Sequence, residues 1–457
     1  MSVSQFSILA DSEYRLWSRA RGGNDVAGEV RIIRENSIDA LTERQIGRLN
    51  KGLGKIDEPA HAEDIVRLGW NLLREDLSLP SAVLYRDRLA HNLAWMQRFM
   101  DAYQVRLAPH GKTTMAPRLF EMQLKSGAWG ITLASAHQTM VAHAHGVKRV
   151  LMANQLVGKQ NMEVIAGLLS DPKFEFYCLV DSAAGVDLLG EFFASRGLRL
   201  NVLLELGVMG GRCGVRDDAQ LQAVLDTLSR WSNTVQLCGV ELYEGVLKEE
   251  AEIRAFMRRA CDVTWTLLEG KAVARGPALL SGAGSAWYDV VAEEFASAEF
   301  GDAVEIVLRP GCYLTHDVGN YETQQKRILA SNPIAREMRS GLVPALHLWT
   351  YVQSIPEDEL AVVQMGRRDA AFDSGLPTPA LHFRPGSEAP RATPAHWETT
   401  KMMDQHAYLK VAAGDDVRVG DMVGFNISHP CLTFDKWRTL PILDEHYNVV
   451  DVVQTYF

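Results

Sequence analysis

Five short stretches of this chain carry residue types that can do chemistry. The first, APHGKTTMAP at Ala108–Pro117, contains Gly-Lys-Thr but is not a phosphate-cradling P-loop. Such a loop needs a glycine five positions before its Gly-Lys so that backbone N–H groups can wrap the phosphates, and that position is Arg106. What remains is Lys112, an amine just past a strand-like run. Desolvated there, it can form a Schiff base with a carbonyl of substrate or cofactor. The second stretch, Ser281-Gly282-Ala283-Gly284-Ser285, has small residues that let backbone N–H groups approach the oxygens of an anion. In the third, Glu205–Gly214, glycines allow a tight loop from which Arg212 can present its guanidinium to a carboxylate or a ring nitrogen. Tyr243-Glu244, the fourth, can relay a proton. The fifth is His429-Pro430-Cys431: residues i and i+2 of an extended segment project to one side, so imidazole and thiolate can grip one ion. Cysteine with histidine points to zinc more than to manganese or magnesium, with positions left open for water or substrate. By contrast His143-Ala144-His145 falls in a helix-like stretch, where i and i+2 do not share a face, and reads as structural.

These stretches need elements to position them. Between about residues 100 and 315, short aliphatic runs alternate with longer amphipathic stretches. The runs are Val105–Pro109, Gly130–Ser135, Arg149–Asn154, Glu175–Asp181, Leu200–Glu205, Leu237–Tyr243, Ala278–Gly282 and Glu305–Pro310. Several are almost continuously apolar, as parallel strands buried on both faces must be, and the stretches between them can hold crossover helices. Eight βα units predict an α/β fold, a (β/α)8 TIM barrel whose active site lies at the strand C-termini. Polar or small residues gather there: His110 and Lys112, Ser135 with His137 and Gln138, Asn154, Asp181, Glu205, Tyr243 and Glu244, the 282–285 loop, and Arg309 with Tyr313. The loop at 282–285 follows the seventh strand, where barrels commonly bind phosphate. A doubly wound open sheet is the alternative, but it usually shows fewer repeats and a glycine-rich turn after its first strand.

Beyond about residue 320, Val362–Gly366, Ala407–Val411, Asp421–Phe425 and Val449–Val453 read as short strands between Gly, Pro and Asp turns. This predicts a separate C-terminal β-rich domain. The first 80 or so residues carry helix-like amphipathic segments such as Thr42–Leu53. The expected division is 1–78 as a helical extension, 79–320 as the barrel and 321–457 as the β-rich domain.

Composition narrows the functional class. The 457 residues are 47% hydrophobic and 23% charged, with 47 Lys plus Arg against 57 Asp plus Glu, a net charge of −10. That balance argues against nucleic-acid binding, which needs a basic face. No apolar run approaches the roughly 18–20 residues needed to span a bilayer, and the N-terminal stretch places acidic residues where a signal peptide needs an apolar core. Six scattered cysteines without a CxxC pair read as free thiols in a reducing compartment. A cytoplasmic protein without nucleic-acid or membrane partners is expected.

Taken together, the stretches resemble the fold-type III pyridoxal-phosphate enzymes that include D-threonine aldolase and D-serine dehydratase. APHGKTT is similar to that family's RPHxKTH element, although Ala108 and Thr114 stand where the family has arginine and histidine. Residues 79–97, LPSAVLYRDRLAHNLAWMQ, resemble its opening, Ala128–Thr132 its second strand, and ELGVMGGRCGV its E-D-x-G-x-x-R-x-G-V loop. Leu308–Tyr313 resembles LRPGxYxxxD, with Asp317 in register, and Asp404-Gln405-His406 an EEHG-like segment. His429-Pro430-Cys431 falls where the family binds its metal, and Ser428–Trp437 resembles the SHPCxTFDKW ending of a longer bacterial amino acid deaminase subgroup, as does the N-terminal extension.

The resemblance implies an alanine-racemase-like barrel with a second, metal-binding β domain that takes in the strand near Ala82–Tyr85. It implies pyridoxal 5'-phosphate on Lys112, with His110, Arg212, Gly282, Gly284, Ser285 and Tyr313 around the cofactor. Lys112, Tyr243 and Glu244 become the catalytic residues, and His429 and Cys431 the ligands of zinc, or of manganese or another divalent ion. The implied reaction is a lyase dehydration of a small β-hydroxy D-amino acid, D-serine-like, to keto acid and ammonia, by a homodimer. Retro-aldol cleavage to glycine and an aldehyde is the second reading: aldolases of the family resemble a His-x-Asp pair and dehydratases a His-x-Cys pair, so Cys431 favours dehydration. A non-catalytic pyridoxal-phosphate carrier is the third, opposed by the residues after 320, which single-domain carriers lack.

Overall fold

A computed structural model describes residues 44–457. After β1 (Ser81–Tyr85) come eight parallel strands, β2 (Arg106–Leu107), β3 (Ile131–Leu133), β4 (Arg149–Gln155), β5 (Glu175–Val180), β6 (Leu200–Leu206), β7 (Val235–Leu242), β8 (Ala278–Gly282) and β9 (Val304–Leu308), alternating with helices. They hydrogen-bond in the order β2-β9-β8-β7-β6-β5-β4-β3. Past the ends of the short β2 the two edges meet. Trp129 N–H donates to the Leu107 carbonyl at 2.7 Å and Thr132 N–H to that of Pro109 at 2.9 Å, Thr132 Oγ1 donates to the Ala108 carbonyl at 2.7 Å, and His110 bridges Thr132. The curled sheet therefore closes into a barrel, through all eight expected runs.

The two-residue period of the strands sorts their side chains. Leu151, Tyr177, Leu179, Leu203, Cys238, Leu279 and Val307 fill the interior with Ala108, while Val150, Phe176, Val202, Val240 and Leu280 pack outward under the helices. Both faces are thereby dry, which is why the strands read as nearly continuous apolar runs.

The second sheet has ten strands. It contains β1 with β10 (Leu346–Glu357), β11 (Leu360–Val363), β12 (Thr378–Phe383), β13 (Arg391–Ala392), β14 (Glu398–Met402), β15 (Ala407–Lys410), β16 (Met422–Asn426), β17 (Thr439–Leu443) and β18 (Val449–Gln454). Within it, β1 runs antiparallel to β10, Ser81 opposite Trp349, and parallel to β17, Leu84 opposite Ile442. The strand at 81–85 thus belongs to this sheet, as the resemblance implies, and not to the barrel, into which a boundary at residue 79 would put it.

One expectation is corrected. Residues 44–53 of the amphipathic segment Thr42–Leu53 form turns, not a helix. Ile46 bridges Ala60, the Gly47 N–H goes to Asn50 Oδ1 at 3.0 Å, and Gly52 adopts φ +81°, so local side-chain hydrogen bonding and a left-handed glycine override the helical periodicity. The helix of this region is Ala62–Arg67; residues 1–43 of the expected extension lie outside the described residues. Past Lys112, Pro117 opens the helix Pro117–Lys125 from its first position, where its missing N–H costs nothing.

Asn92, on the helix Arg86–Ala102, joins the two layers. It is fully buried and gives its amide protons to the carbonyls of Leu314 at 2.9 Å and Val343 at 2.8 Å, accepting the Val343 N–H at 2.9 Å. Asn92→Ala strands these groups in a dry site and is expected to lower stability by about 2–4 kcal/mol, read by chemical denaturation.

Candidate active site

The turn that carries Lys112 is pinned to the barrel wall. Gly111–Thr113 is a single 3₁₀ turn, and a Cβ on Gly111 would lie 2.8 Å from both Ile131 Cγ2 and Phe120 Cε1, so only glycine lets the turn sit this deep. Gly111 and Thr113 are buried while Lys112 between them stands exposed at the mouth. Its pKa is lowered, first by desolvation and then by the charges of Arg212 and Arg309, with Cys431 and Cys312 acting in the opposite sense. The preceding His110 is held neutral: burial, then Lys112, Arg309 and Arg212, push its pKa well below the usual range.

A ring of acids and arginines occupies the neighbouring strand ends. Arg309 and Glu241 form a buried ion pair, and Arg309 Nη2 also donates to the Leu242 carbonyl at 2.8 Å. Glu205, hydrogen-bonded by Gln155, has its pKa raised to about 8, chiefly by burial and then by Glu241. Arg212 is exposed, its guanidinium 4.6 Å from the centroid of the Tyr243 ring. His110 Nδ1, Glu241 Oε2, Glu244 Oε2 and Arg309 Nε are all buried without a hydrogen-bond partner. Such orphaned atoms, converging on one mouth, fit a site that receives a polar group from outside the chain. Beside them a cavity of about 270 Å³ is lined by Tyr243, Glu244, Gly284, Ser285, Trp287 and Tyr321, among others.

The small-residue loop differs in detail from expectation. Gly282 is buried within β8, and a Cβ there would meet Phe295, Leu242 and Val291 at 3.4–3.5 Å, so its side-chain direction faces the apolar layer. The Gly284 N–H donates to Glu244 Oε1 at 2.7 Å, and Glu244, fully buried, has a raised pKa because of that burial. A protein carboxyl therefore takes the donor expected to meet phosphate. Ser285 Oγ accepts the N–H groups of Gly311 at 3.2 Å and Cys312 at 3.1 Å, fixing the next turn. Tyr313 is buried with its hydroxyl taking a hydrogen bond from Gln123 Nε2 at 3.2 Å, in the packed layer.

His429 and Cys431 do come together, by a different local geometry. His429 is extended and caps the helix Pro430–Phe434, and Cys431 is that helix's second residue. A hydrogen bond to Cys431 and another to Asp373 raise the His429 pKa to about 9 against the effect of burial; His429 Nδ1 lies 2.8 Å from Asp373 Oδ2. Cys431 is lowered to about 4, first by hydrogen bonding from Cys312 and then by His429 and Thr113, with burial opposing. Its Sγ is 3.8 Å from Cys312 Sγ and 3.5 Å from Thr113 Oγ1. A ready thiolate beside an imidazole whose other nitrogen is anchored by a carboxylate suits a soft divalent ion. Among the described residues one other cluster, Asp181, Glu205 and Cys213, has donors within 4.8 Å of one another, but Asp181 Oδ2 already accepts the Gly214 N–H at 3.0 Å. No helix among the described residues is long and apolar enough to cross a membrane.

Comparison with known proteins divides the chain at the same place as the sheets. Residues 84–307 match the family model "Alanine racemase, N-terminal domain" and residues 345–443 the model "Putative serine dehydratase domain". D-threonine aldolase of an Arthrobacter species is 25% identical over 341 residues, 73% of this chain and 80% of that protein. D-threo-3-hydroxyaspartate dehydratase of Delftia sp. (strain HT23) is 31% identical over 142 residues, 31% of this chain and 37% of that protein. The chain belongs to the fold-type III pyridoxal-phosphate family of D-threonine aldolase and D-serine dehydratase. Solved structures share its fold: D-threonine aldolase from Filomicrobium marinum matches with a TM-score of 0.70 at 21% identity, covering 85% of this chain and 97% of that one. A cysteine variant of D-threo-3-hydroxyaspartate dehydratase, in the metal-free form, matches at 0.66 and 22%, covering 85% and 99%. In the family's terms, the racemase-like segment carries Lys112 and the dehydratase-like segment carries His429 and Cys431.

Sequence reasoning missed the Glu241 partner of Arg309, the Asp373 partner of His429, and Tyr321 in the cavity wall. These meet only in three dimensions and leave no spacing signal. Cys312 was read only as one of six free thiols, although it lies inside the LRPGCY stretch.

Glu205 supplies a pH test. Its folded pKa, about 8, lies above the ordinary carboxylate value of 4.5, so the folded state holds its proton more tightly than the unfolded chain does. Stability present below pH 4.5 is lost as pH rises through about 8. Glu205→Gln removes that loss, and its melting temperature is expected to gain on the wild type steadily from about pH 5 to 8.5.

Proposed function

We propose that this chain is a pyridoxal-phosphate- and zinc-dependent lyase that converts a β-hydroxy D-amino acid of the D-serine type to a keto acid and ammonia. One observation carries the reading: Cys431, paired with His429, touches Thr113, the residue after Lys112, so the amine that can hold the cofactor and the donors that can hold an ion open on one site. The donor chemistry supports dehydration, since the second member of the pair is a thiolate, as in the family's dehydratases, where its aldolases resemble a His-x-Asp pair.

Pyridoxal phosphate supplies an electron sink for charge developing at the substrate's Cα. Lys112 Nζ would hold it covalently and, as a free amine, takes the α-proton. The lowered pKa of Lys112 keeps a share of neutral amine for that task. Arg212, held over Tyr243, meets the substrate carboxylate. His429 and Cys431 would hold the divalent ion, which would supply Lewis acidity toward the β-hydroxyl. Tyr243, with Glu244 buried behind it, passes a proton toward the departing oxygen. In balance, the Cα–H bond breaks with its proton going to Lys112, the Cβ–O bond breaks with the hydroxyl leaving as water, and the released enamine takes one water back to give keto acid and ammonia.

The test is a panel of D- and L-β-hydroxy amino acids with keto acid, ammonia, glycine and aldehyde measured separately. Keto acid and ammonia in equal amounts from D-substrates alone are expected; glycine with an aldehyde would overturn dehydration in favour of retro-aldol cleavage. Lys112→Ala is expected to lose the cofactor's visible absorbance after dialysis and to lower turnover by about 10³-fold or more. Cys431→Asp is expected to keep the absorbance, shift metal preference toward manganese, and lower turnover of D-serine by roughly 10²-fold or more.

A further inference from the structure

Cys312 is the buried group nearest the site that the proposed reaction leaves without a task. It sits in the 3₁₀ turn Cys312–Leu314 that follows β9, on the barrel side of the site, whereas His429 and Cys431 follow β16 of the other sheet. Its place is tightly fixed. The Cys312 N–H is held by Ser285 Oγ at 3.1 Å, the Leu314 carbonyl at the end of its turn accepts from Asn92 Nδ2 at 2.9 Å, and its side chain is buried. Thr113 Oγ1 lies 4.0 Å from Cys312 Sγ and 3.5 Å from Cys431 Sγ, in contact with both.

The separation of the two sulfurs is informative. Thiolates bound to one zinc at about 2.3 Å with a tetrahedral angle between them stand about 3.8 Å apart. Cys312 Sγ and Cys431 Sγ are 3.8 Å apart. A disulfide needs about 2.05 Å, so these sulfurs stand at the spacing of shared ligands and not of a bond. Resting on the zinc reading above, we infer that Cys312 is a second sulfur ligand, giving the ion one imidazole and two thiolates with a fourth position open to substrate. An open Cys₂His set is an established form of catalytic zinc. The three donors do not all lie within 4.8 Å of one another, so a shared ion requires the His429 ring to swing toward the sulfurs. Two consequences separate this site from a bare His–Cys pair. Two soft donors favour zinc over manganese more strongly than one does, and the ion links the barrel to the second sheet, so its binding stabilises the contact between them.

Cobalt reconstitution and X-ray absorption test the inference without relying on turnover. In the wild-type protein loaded with one zinc, absorption fine structure is expected to count two sulfurs in the first shell. After cobalt substitution, Cys312→Ser and Cys431→Ser are each expected to keep about half of the thiolate-to-metal charge-transfer band. Cys312→Ser is also expected to weaken zinc binding by at least about 100-fold, the upper end of what losing a ligand's orienting partner costs, and to shrink the rise in melting temperature on adding zinc. Cys312→Ala is the second variant, and retention of the cofactor's absorbance shows that either one is folded. One sulfur in the wild type, with a cobalt band unchanged in Cys312→Ser and abolished in Cys431→Ser, would overturn the role of Cys312 and leave the two-ligand site standing. No thiolate band in the wild type would overturn both.

Discussion

Cys431 meets Thr113 across 318 positions of chain, at 3.5 Å, and this contact between two sheets is what turns two halves into one site. Neither half holds the chemistry alone. The barrel offers the amine of Lys112 and a ring of buried charges, and the second sheet offers the imidazole of His429 and the thiol of Cys431. The contact depends in turn on how deeply the 111–113 turn is seated, which Gly111 permits, and on the closure of the barrel just beneath it through Thr132. A displacement of either by an ångström would separate the groups while leaving each fold intact.

Charge around the mouth is arranged so that few groups are ionised without a partner. Arg309 is paired with Glu241, and breaking such a buried pair by removing one member typically costs about 3–5 kcal/mol. With that pair fixed, Glu205 beside it is pushed toward its neutral form, and His110 is kept neutral by the cations around it. Cys431 is stabilised as an anion against burial by hydrogen bonds from Cys312, His429 and Thr113. The barrel side thus holds a buried ion pair with Glu205 and His110 pushed toward their neutral forms, while the second sheet contributes a stabilised thiolate.

The barrel was legible because its strands are buried on both faces, so eight apolar runs stood out, and the position of Lys112 followed from the first of them. The second sheet was harder. The twelve residues of β10, Leu346–Glu357, pass from a buried to an exposed environment along their length and carry no single period, while β13 spans two residues. At the site, residue types singled out Lys112, His429 and Cys431, and the fold brings Cys431 to Thr113, the residue after Lys112. They misdirected at Gly282, because a small residue at a strand end can equally well make room for a helix, here through Phe295 and Val291. Tyr313 misdirected for a related reason: a tyrosine near a strand end reads the same whether its hydroxyl meets a ligand or Gln123. Ion pairs such as Glu241–Arg309 were beyond reach, since partners 68 positions apart leave no trace in spacing.

The membership of β1 in the second sheet has a consequence for how the protein is made. Its neighbours on either side, β10 and β17, are encoded roughly 260 and 350 residues later, so the whole barrel is an insertion between a strand and its partners. At ribosomal rates of about 5–20 residues per second, β1 emerges roughly 10–50 s before β10 does. During that interval the barrel can close on local, sequential βα contacts while an apolar five-residue strand waits unpaired at its entrance. Completion of the sheet is then the last long-range event of biogenesis, and it is the event that brings Cys431 to Thr113. The active site therefore forms only after β16 and the turn at 429–431 have been made, and until then Lys112 and Cys431 stay apart.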